Sequence, residues 1–204
     1  MLKKMLKYVS DRIVERLIKK EIISSERRAV YMYGCELLLS TVFTVISILA
    51  ISFFAGCFAQ AVAFLLAFMP IRTVASGYHA SSYRNCFLLT NLVAFFCIIA
   101  GKAGSESTPE WLMWSVLIVA QCMIWIKGPF RSKVHPLKEE LIERNRIYMH
   151  RIQLLEILSA VLFTIINDRI ILNTIILATI MVALMIYIAE KEEDRNAGNV
   201  SNAH

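Results

Sequence analysis

The chain has 204 residues, of which 57% are hydrophobic and only 19% are charged. A soluble domain of this size cannot bury so much apolar surface, so the composition excludes a soluble enzyme and predicts a membrane protein with several spans. The formal net charge of +6, from 22 lysines and arginines against 16 aspartates and glutamates, indicates basic segments at an anionic membrane surface.

The first thirty residues predict an amphipathic helix in the membrane interface rather than a span. Apolar residues recur there at helical spacing, with lysines and arginines between them. Such a helix lies among anionic headgroups with its apolar face toward the acyl chains. Its role is that of a membrane anchor or, alternatively, of a docking surface for a partner that also lies on the membrane. The apolar positions are Leu2, Met5, Leu6, Val9, Ile13 and Leu17.

Residues 31–189 contain six apolar segments, most of them close to the ~20 residues needed to cross a bilayer. The fifth and sixth are separated only by Asn-Asp-Arg at 167–169, and we predict a tight hairpin there because one long helix would place charge inside the membrane. The predicted fold class is therefore all-α, with six transmembrane helices after the interfacial helix. The predicted spans are roughly 33–55, 59–75, 86–101, 111–127, 152–167 and 170–189.

Lysine and arginine are distributed unevenly between the loops. Nine of them lie in residues 1–28 and seven in residues 127–151, whereas the alternate loops together hold only Lys102 and Arg169. The positive-inside rule therefore places both termini, the 72–85 stretch and the 127–151 loop in the cytoplasm. After the last span, the polar segment 190–204 is predicted to be a disordered tail.

The polar stretch 72–86 interrupts the apolar pattern and contains His79 and, seven positions later, Cys86. An imidazole that removes the proton of a thiol is the minimum apparatus of a cysteine protease. In one continuous helix the two residues would stand about 10.5 Å apart along the axis, too far for direct proton transfer. A working pair therefore needs a break between them. Alternatively, Cys86 begins the third span, where the helix dipole and the backbone N–H groups favour a thiolate and an oxyanion; we prefer this second arrangement.

The remaining cysteines, at positions 35, 57, 97 and 122, lie in or beside apolar runs and are predicted to be small buried hydrophobes. No Cys-x-x-Cys is present, and the four histidines form no His-Glu-x-x-His and no pair at helical ligand spacing. We therefore predict no metal and no other cofactor. The basic residues are assigned to headgroups and to a substrate, and no nucleic acid is expected as a partner.

The loop 127–151 between the fourth and fifth spans is basic. Pro129 and Pro136 prevent a helix at its start, and a helix is predicted in its second half. Arg131 and Lys133 are candidates to pair with a carboxylate of a substrate. The alternative is that both residues only obey the positive-inside rule.

The pattern Arg72-x6-His79-x6-Cys86, with Gly77 two residues before the histidine and an apolar block after the cysteine, resembles the accessory gene regulator protein B (AgrB) family of membrane cysteine endopeptidases. The basic amphipathic N-terminus, the six spans and the proline-containing basic loop extend the resemblance to nearly the whole chain. One departure is Ser76, which precedes Gly77 where many members have a second glycine.

The resemblance implies a defined chemistry in the bacterial cell membrane, with the active site on the cytoplasmic side. Cys86 would be the nucleophile and His79 the general base that cleave the C-terminal part from an AgrD-like propeptide. A cysteine or serine of the peptide would then attack the Cys86 thioester and close a thiolactone or lactone ring. The resemblance also implies a homodimer.

Several residues around the pair are candidates to support the site. Arg72 matches the family motif and either anchors a substrate carboxylate or holds the local structure, and Gly77 matches the motif as well. A third catalytic group is left open between Ser81, Asn85 and the backbone.

A small peptide transporter or export channel is the alternative function, and a purely structural scaffold is a third. A transporter would carry polar residues inside its spans, paired or lining a pathway. The spans offer few such residues, and Glu36 and Glu156 lie toward the predicted cytoplasmic face, which suits a substrate cavity better than a conduit. A scaffold would leave the stretch with His79 and Cys86 unexplained.

Overall fold

The computed structural model describes residues 2–75, 83–130 and 138–201. These residues form seven α-helices, and the last six are long and apolar enough to cross a membrane. The predicted fold class is thereby confirmed, whereas the side of the membrane on which the termini lie stays a prediction. The helices are α1 (Leu2–Lys19), α2 (Arg28–Phe54), α3 (Phe58–Ala75), α4 (Tyr83–Gly104), α5 (Glu110–Lys127), α6 (Glu139–Ile166) and α7 (Arg169–Ser201).

The last two helices extend beyond their apolar spans. α6 begins at Glu139, so the second half of the basic loop is helical, as its sequence predicts. α7 continues to Ser201, so the segment after Glu190 is helical there, where the sequence predicts a disordered tail. The glutamates, lysine and arginine of this segment are good helix formers, and Glu190 forms an ion pair with Lys127 of α5.

The chain divides into two compact units, and the first comprises Met1–Ala55 and Ala80–Leu92. In this unit α1 contacts α2, and an ion pair between Asp11 and Arg28 joins them. One row of α1 side chains is buried while another row of apolar side chains stays exposed, so α1 has a face for lipid; its interfacial position stays a prediction. The buried residues are Leu6, Ser10 and Val14, and the exposed apolar ones are Met5, Tyr8, Val9 and Ile13.

The second unit comprises Gly56–His79 and Val93–His204 and is built around α7. α7 contacts α3, α5 and α6, and 61% of its most apolar window is buried, against 22–33% for the other spans. Most of the large apolar side chains of α5 and α6 outside this contact are exposed, as lipid-facing residues are. The apolar cluster of this unit consists of Met113, Leu117, Ala160, Leu172 and Ile176.

The predicted hairpin between the last two spans is present. Asn167 ends α6 in the left-handed conformation, with φ of 62°, which asparagine tolerates better than most residues. Asp168 caps α7, because its Oδ1 accepts the Ile171 N–H at 3.1 Å. The Arg169 guanidinium donates to the Thr108 carbonyl at 2.6 Å and so binds the hairpin to the segment before α5.

Gly101 allows α4 and α7 to approach closely. A Cβ at this position would lie 2.6 Å from Thr174 Oγ1 and 3.2 Å from the Thr174 backbone nitrogen. We expect Gly101→Leu to lower the free energy of unfolding by roughly 1–3 kcal/mol, since the backbone contact cannot relax by a side-chain rotation. Thermal unfolding in detergent measures this. Gly34→Leu on α2 is the matched control, because a Cβ there has no neighbour within 4 Å; an equal loss in both variants would contradict the prediction.

Candidate active site

Cys86 is the fourth residue of α4, and its side chain is half-buried. Arg84 and Asn85, which precede it in the same first turn, are exposed. The first turn of a helix directs N–H groups without intrahelical acceptors toward its N-terminus, where the dipole favours negative charge. The structure therefore places Cys86 at the beginning of the third span, the arrangement that the sequence favours for a thiolate nucleophile.

Other predicted site residues lie outside the described residues. His79, Gly77 and Ser81 belong to the segment 76–82, and Arg131 and Lys133 belong to the segment 131–137. Their roles are carried forward as proposals.

Arg72 lies in the last turn of α3, four residues after Phe68. Its guanidinium carbon is 5.4 Å from the centre of the Phe68 ring, a cation–π contact, and the side chain is half-buried. The negative end of the helix dipole also favours a cation here. Packing and charge together thus position Arg72 at the C-terminal end of α3. The segment with His79 follows this end in the sequence.

The end of α3 is bonded to the beginning of the basic loop. The Phe130 N–H donates to the Ala75 carbonyl at 2.8 Å. The turn before Phe130 is tight, because a Cβ at Gly128 would lie 2.6 Å from Met149 Sδ and 2.8 Å from the Ile124 carbonyl oxygen. Ala75 is the last described residue before the His79 segment, and Phe130 is the last before Arg131 and Lys133. Their bond therefore brings the starting points of these two segments together, a proximity that the sequence alone did not reveal.

An open cavity of about 490 Å³ lies at the same loop, between the end of α5, α6 and α7. Its lining includes positive and negative side chains. Lys127 and Arg146 are positive, and the negative ones are Glu190, Glu193 and Asp194. Lys127 forms its ion pair with Glu190 in this place. The helical extension of α7 thus brings acidic side chains to the basic loop.

A buried polar network crosses the second unit at α5, α6 and α7. Gln121 Nε2 donates to Glu156 Oε2 at 2.8 Å, and Gln153 Nε2 donates to Gln121 Oε1 at 2.7 Å and to the Gln121 carbonyl at 2.9 Å. Thr179 Oγ1 reaches Glu156 Oε2 at 3.4 Å, and His150 Nδ1 lies 3.3 Å from Gln153 Oε1. The second oxygen of Glu156, Oε1, is buried without a hydrogen-bond partner among the described residues.

The network joins α5, α6 and α7, but the burial of its polar groups also costs stability. A buried polar atom without a partner costs about 1–3 kcal/mol, and a carboxyl group inside a membrane is expensive in itself. The sequence showed these residues only as separate polar positions. Their spacing carried a signal, because His150, Gln153 and Glu156 follow one another at i, i+3 and share one face of α6.

The cysteines other than Cys86 differ from one another in burial. Cys97 is fully buried, whereas Cys35 and Cys57 are half-buried and Cys122 is exposed. The prediction that all four are buried is therefore wrong for three of them, because α2 and α5 turn part of their apolar surface outward and Cys57 lies in the connection before α3. Among the described residues, no three His, Cys, Asp or Glu side chains form a group that could hold a metal ion.

Comparison with known proteins gives one match. The family model described as accessory gene regulator B matches residues 10–186, which is most of the chain. None of the curated proteins and none of the solved structures matches it.

Proposed function

The chain belongs to the accessory gene regulator B family and therefore has a role in the agr quorum-sensing system, and from this premise we propose that it is an integral membrane cysteine endopeptidase. Its substrate is an AgrD-like propeptide, from which it removes the C-terminal part. The active site faces the cytoplasm, as the distribution of lysine and arginine favours. Anionic headgroups beside α1 and a homodimer are parts of the same proposal.

The observation that carries the proposal is the position of Cys86. A half-buried thiol in the first turn of a helix, preceded by two exposed polar residues, is reachable by a peptide and lies near N–H groups that can bind an oxyanion. The segment with His79 directly precedes this turn in the sequence. We assign Asn85 a supporting place, since it is exposed beside the nucleophile.

The reaction has two acyl transfers. His79 takes the proton of Cys86 Sγ, the thiolate adds to the carbonyl carbon at the cleavage site, and the resulting oxyanion is held by N–H groups of the first turn of α4. Collapse breaks the C–N bond, His79 protonates the leaving amine, and a thioester on Cys86 remains. A thiol or hydroxyl of the peptide then loses its proton to His79 and attacks the thioester. This closes the ring and releases the Cys86 thiolate, which takes the proton back.

Ring closure must outrun hydrolysis, because water would destroy the activated acyl bond without forming the ring. The first turn of α4 leads directly into the apolar part of the same helix. The thioester would therefore form at the edge of the apolar phase rather than in bulk water. This location favours an internal nucleophile that is already bound beside the thioester.

The transporter alternative is less well supported. The polar residues of α5 and α6 bond to one another, and they line two separate cavities, one with Glu156 and one with Gln121, His150 and Gln153. Within the described residues they do not form one open path across the membrane. Peptide processing is therefore the better interpretation of the chain.

The acyl-enzyme is the direct test. A propeptide whose ring-forming cysteine or serine is replaced by alanine should trap the thioester, which mass spectrometry locates on Cys86 and neutral hydroxylamine releases. The Cys86→Ser variant should give no hydroxylamine-labile adduct. Cleavage by the wild-type chain without any adduct on Cys86 would contradict the proposed mechanism.

The basic loop predicts a salt-dependent capture of substrate. If Arg131 and Lys133 bind the acidic leaving segment, Arg131→Gln with Lys133→Gln should raise KM roughly tenfold at low salt and leave kcat nearly unchanged. The effect should shrink at high salt because screening removes the attraction. Steady-state cleavage at two ionic strengths measures this.

The matched control is Lys19→Gln with Lys20→Gln, which removes two positive charges from exposed positions elsewhere in the region predicted to be cytoplasmic. Equal KM changes in both double variants would show a general charge effect. An unchanged KM in the loop variant would show that the two loop residues only set topology.

A further inference from the structure

A second cavity lies deeper in the second unit, between α3 and α6. It has a volume of about 310 Å³ and is lined by apolar residues of α3, α6 and α7 together with Glu156. Glu156 is 4% exposed, and its Oε1 has no partner among the described residues. The Ser159 hydroxyl, which also lines the cavity, is already used, because it donates to the Glu156 carbonyl at 2.8 Å.

The polar groups that this α3–α6 cavity offers to an occupant are oxygens. Glu156 Oε2 already receives bonds from two side chains, which leaves Oε1 open. Pro70 lines the cavity and has no N–H, so the carbonyl of Leu66 one turn earlier receives no hydrogen bond from it. The complementary occupant is therefore a group that both donates and accepts hydrogen bonds, such as a hydroxyl, a thiol or an amide, because a carboxyl group accepts when ionised and also donates when protonated.

The cavity opens sideways toward the bilayer rather than into water. Leu66 and Leu155 line it and are 68% and 65% exposed, as residues at a lipid-facing edge are. An occupant that enters there has an apolar body and carries its donor group into the apolar phase. A membrane-inserted helix combines such an apolar body with serine, threonine, cysteine or amide side chains that form hydrogen bonds across a helix contact.

Small residues line the α3 side. Ala63 and Ala67 stand one turn apart, and Pro70 follows on the same side of the helix. Small side chains allow a second helix to approach closely, and a polar side chain that bonds across the contact is the other common feature of helix pairs in membranes. The cavity has room for the side chains of one helix face.

We propose that the α3–α6 cavity is a docking site for a membrane-inserted helical segment of the propeptide, which forms a hydrogen bond with Glu156 Oε1. This inference rests on the proposed function. The occupant is the substrate because α3 continues from Pro70 through Arg72 to Ala75, where the segment with His79 begins. A peptide helix that lies along α3 is thereby led to the catalytic segment.

Site-specific photocrosslinking in the Cys86→Ala background tests the proposal without cleavage. A benzophenone amino acid at Leu66 should crosslink to a tagged AgrD-like propeptide in membranes, whereas the same group at Val119, 60% exposed on α5 and outside the cavity, should not. Glu156→Leu should lower the crosslinking yield about threefold to tenfold, the value of one hydrogen bond between membrane helices. Ala63→Leu, which fills the cavity, should lower it at least as much. Ala59→Leu is the control, with the same added volume at an exposed position of α3.

The outcomes separate this inference from the proposed function. Equal crosslinking at Leu66 and Val119, or an adduct between two copies of the chain at Leu66, would overturn the docking site, as would unchanged yields in both cavity variants. Normal cleavage by the wild-type chain without a crosslink at Leu66 would also overturn it and leave the endopeptidase intact. A crosslink at Leu66 together with no cleavage by the wild-type chain would contradict the proposed endopeptidase activity and support the docking site. Because Ala63→Leu leaves the polar network unchanged, a folding defect of Glu156→Leu does not obscure the result.

Discussion

Replacement of Cys86 by alanine is expected to abolish propeptide cleavage, with a loss of at least roughly a thousandfold, because the proposed acyl-enzyme forms on the Cys86 thiol. The side chain is half-buried at the start of α4, so its truncation removes little packing and the variant should fold. Cleavage of a co-expressed AgrD-like propeptide, with membrane levels of both chains measured in the same cells, provides the test.

The four other cysteines are the matched controls. Cys35→Ala, Cys57→Ala and Cys122→Ala change half-buried or exposed positions and should retain cleavage. Cys97→Ala empties part of a fully buried position, so it should lower thermal stability slightly and still retain cleavage. Cleavage by Cys86→Ala at a rate near that of the wild type would contradict the proposed endopeptidase mechanism and favour the transporter interpretation.

The helices of this chain were predictable because their signal is local. Apolar runs of membrane length identified all six spans, and the polar Asn-Asp-Arg at 167–169 identified the hairpin. The extension of α7 past Glu190 was missed for a physical reason. Polar composition favours disorder in isolation, but here a preceding long helix supplies the nucleus and Lys127 on another helix pairs with Glu190.

The candidate site was predictable only in part. The place of Cys86 at a helix start followed from the beginning of the apolar run, whereas its role as a nucleophile stays a proposal. The bond between Phe130 and Ala75 and the partners of Glu156 join residues that are far apart in sequence, and a single sequence carries no record of such contacts. The half-buried and exposed cysteines were mispredicted because apolar residues in a membrane protein face lipid as readily as the core.

The second large effect is expected from Gln121, which joins the buried network. Gln121→Leu removes the donor to Glu156 Oε2 and one of the two acceptors of Gln153 Nε2. We expect the free energy of unfolding to fall by about 2 kcal/mol, since two bonds between membrane helices are lost and a buried carboxyl keeps only the 3.4 Å contact from Thr179. The reaction of a fluorescent maleimide with Cys97, fully buried in the folded chain, reports unfolding in a background without the other cysteines.

The triple variant Gln121→Leu, Gln153→Leu, Glu156→Leu separates stability from binding. Because it leaves no orphaned partner among these three side chains and fills their space with apolar groups, it should recover most of the stability that Gln121→Leu loses. A triple variant less stable than the single one would show that the network itself stabilises the fold, and this prediction would be wrong. If Glu156 also forms a hydrogen bond with the propeptide, the triple variant should regain stability and still crosslink poorly at Leu66. Recovery of both properties together would leave the network with a structural role only.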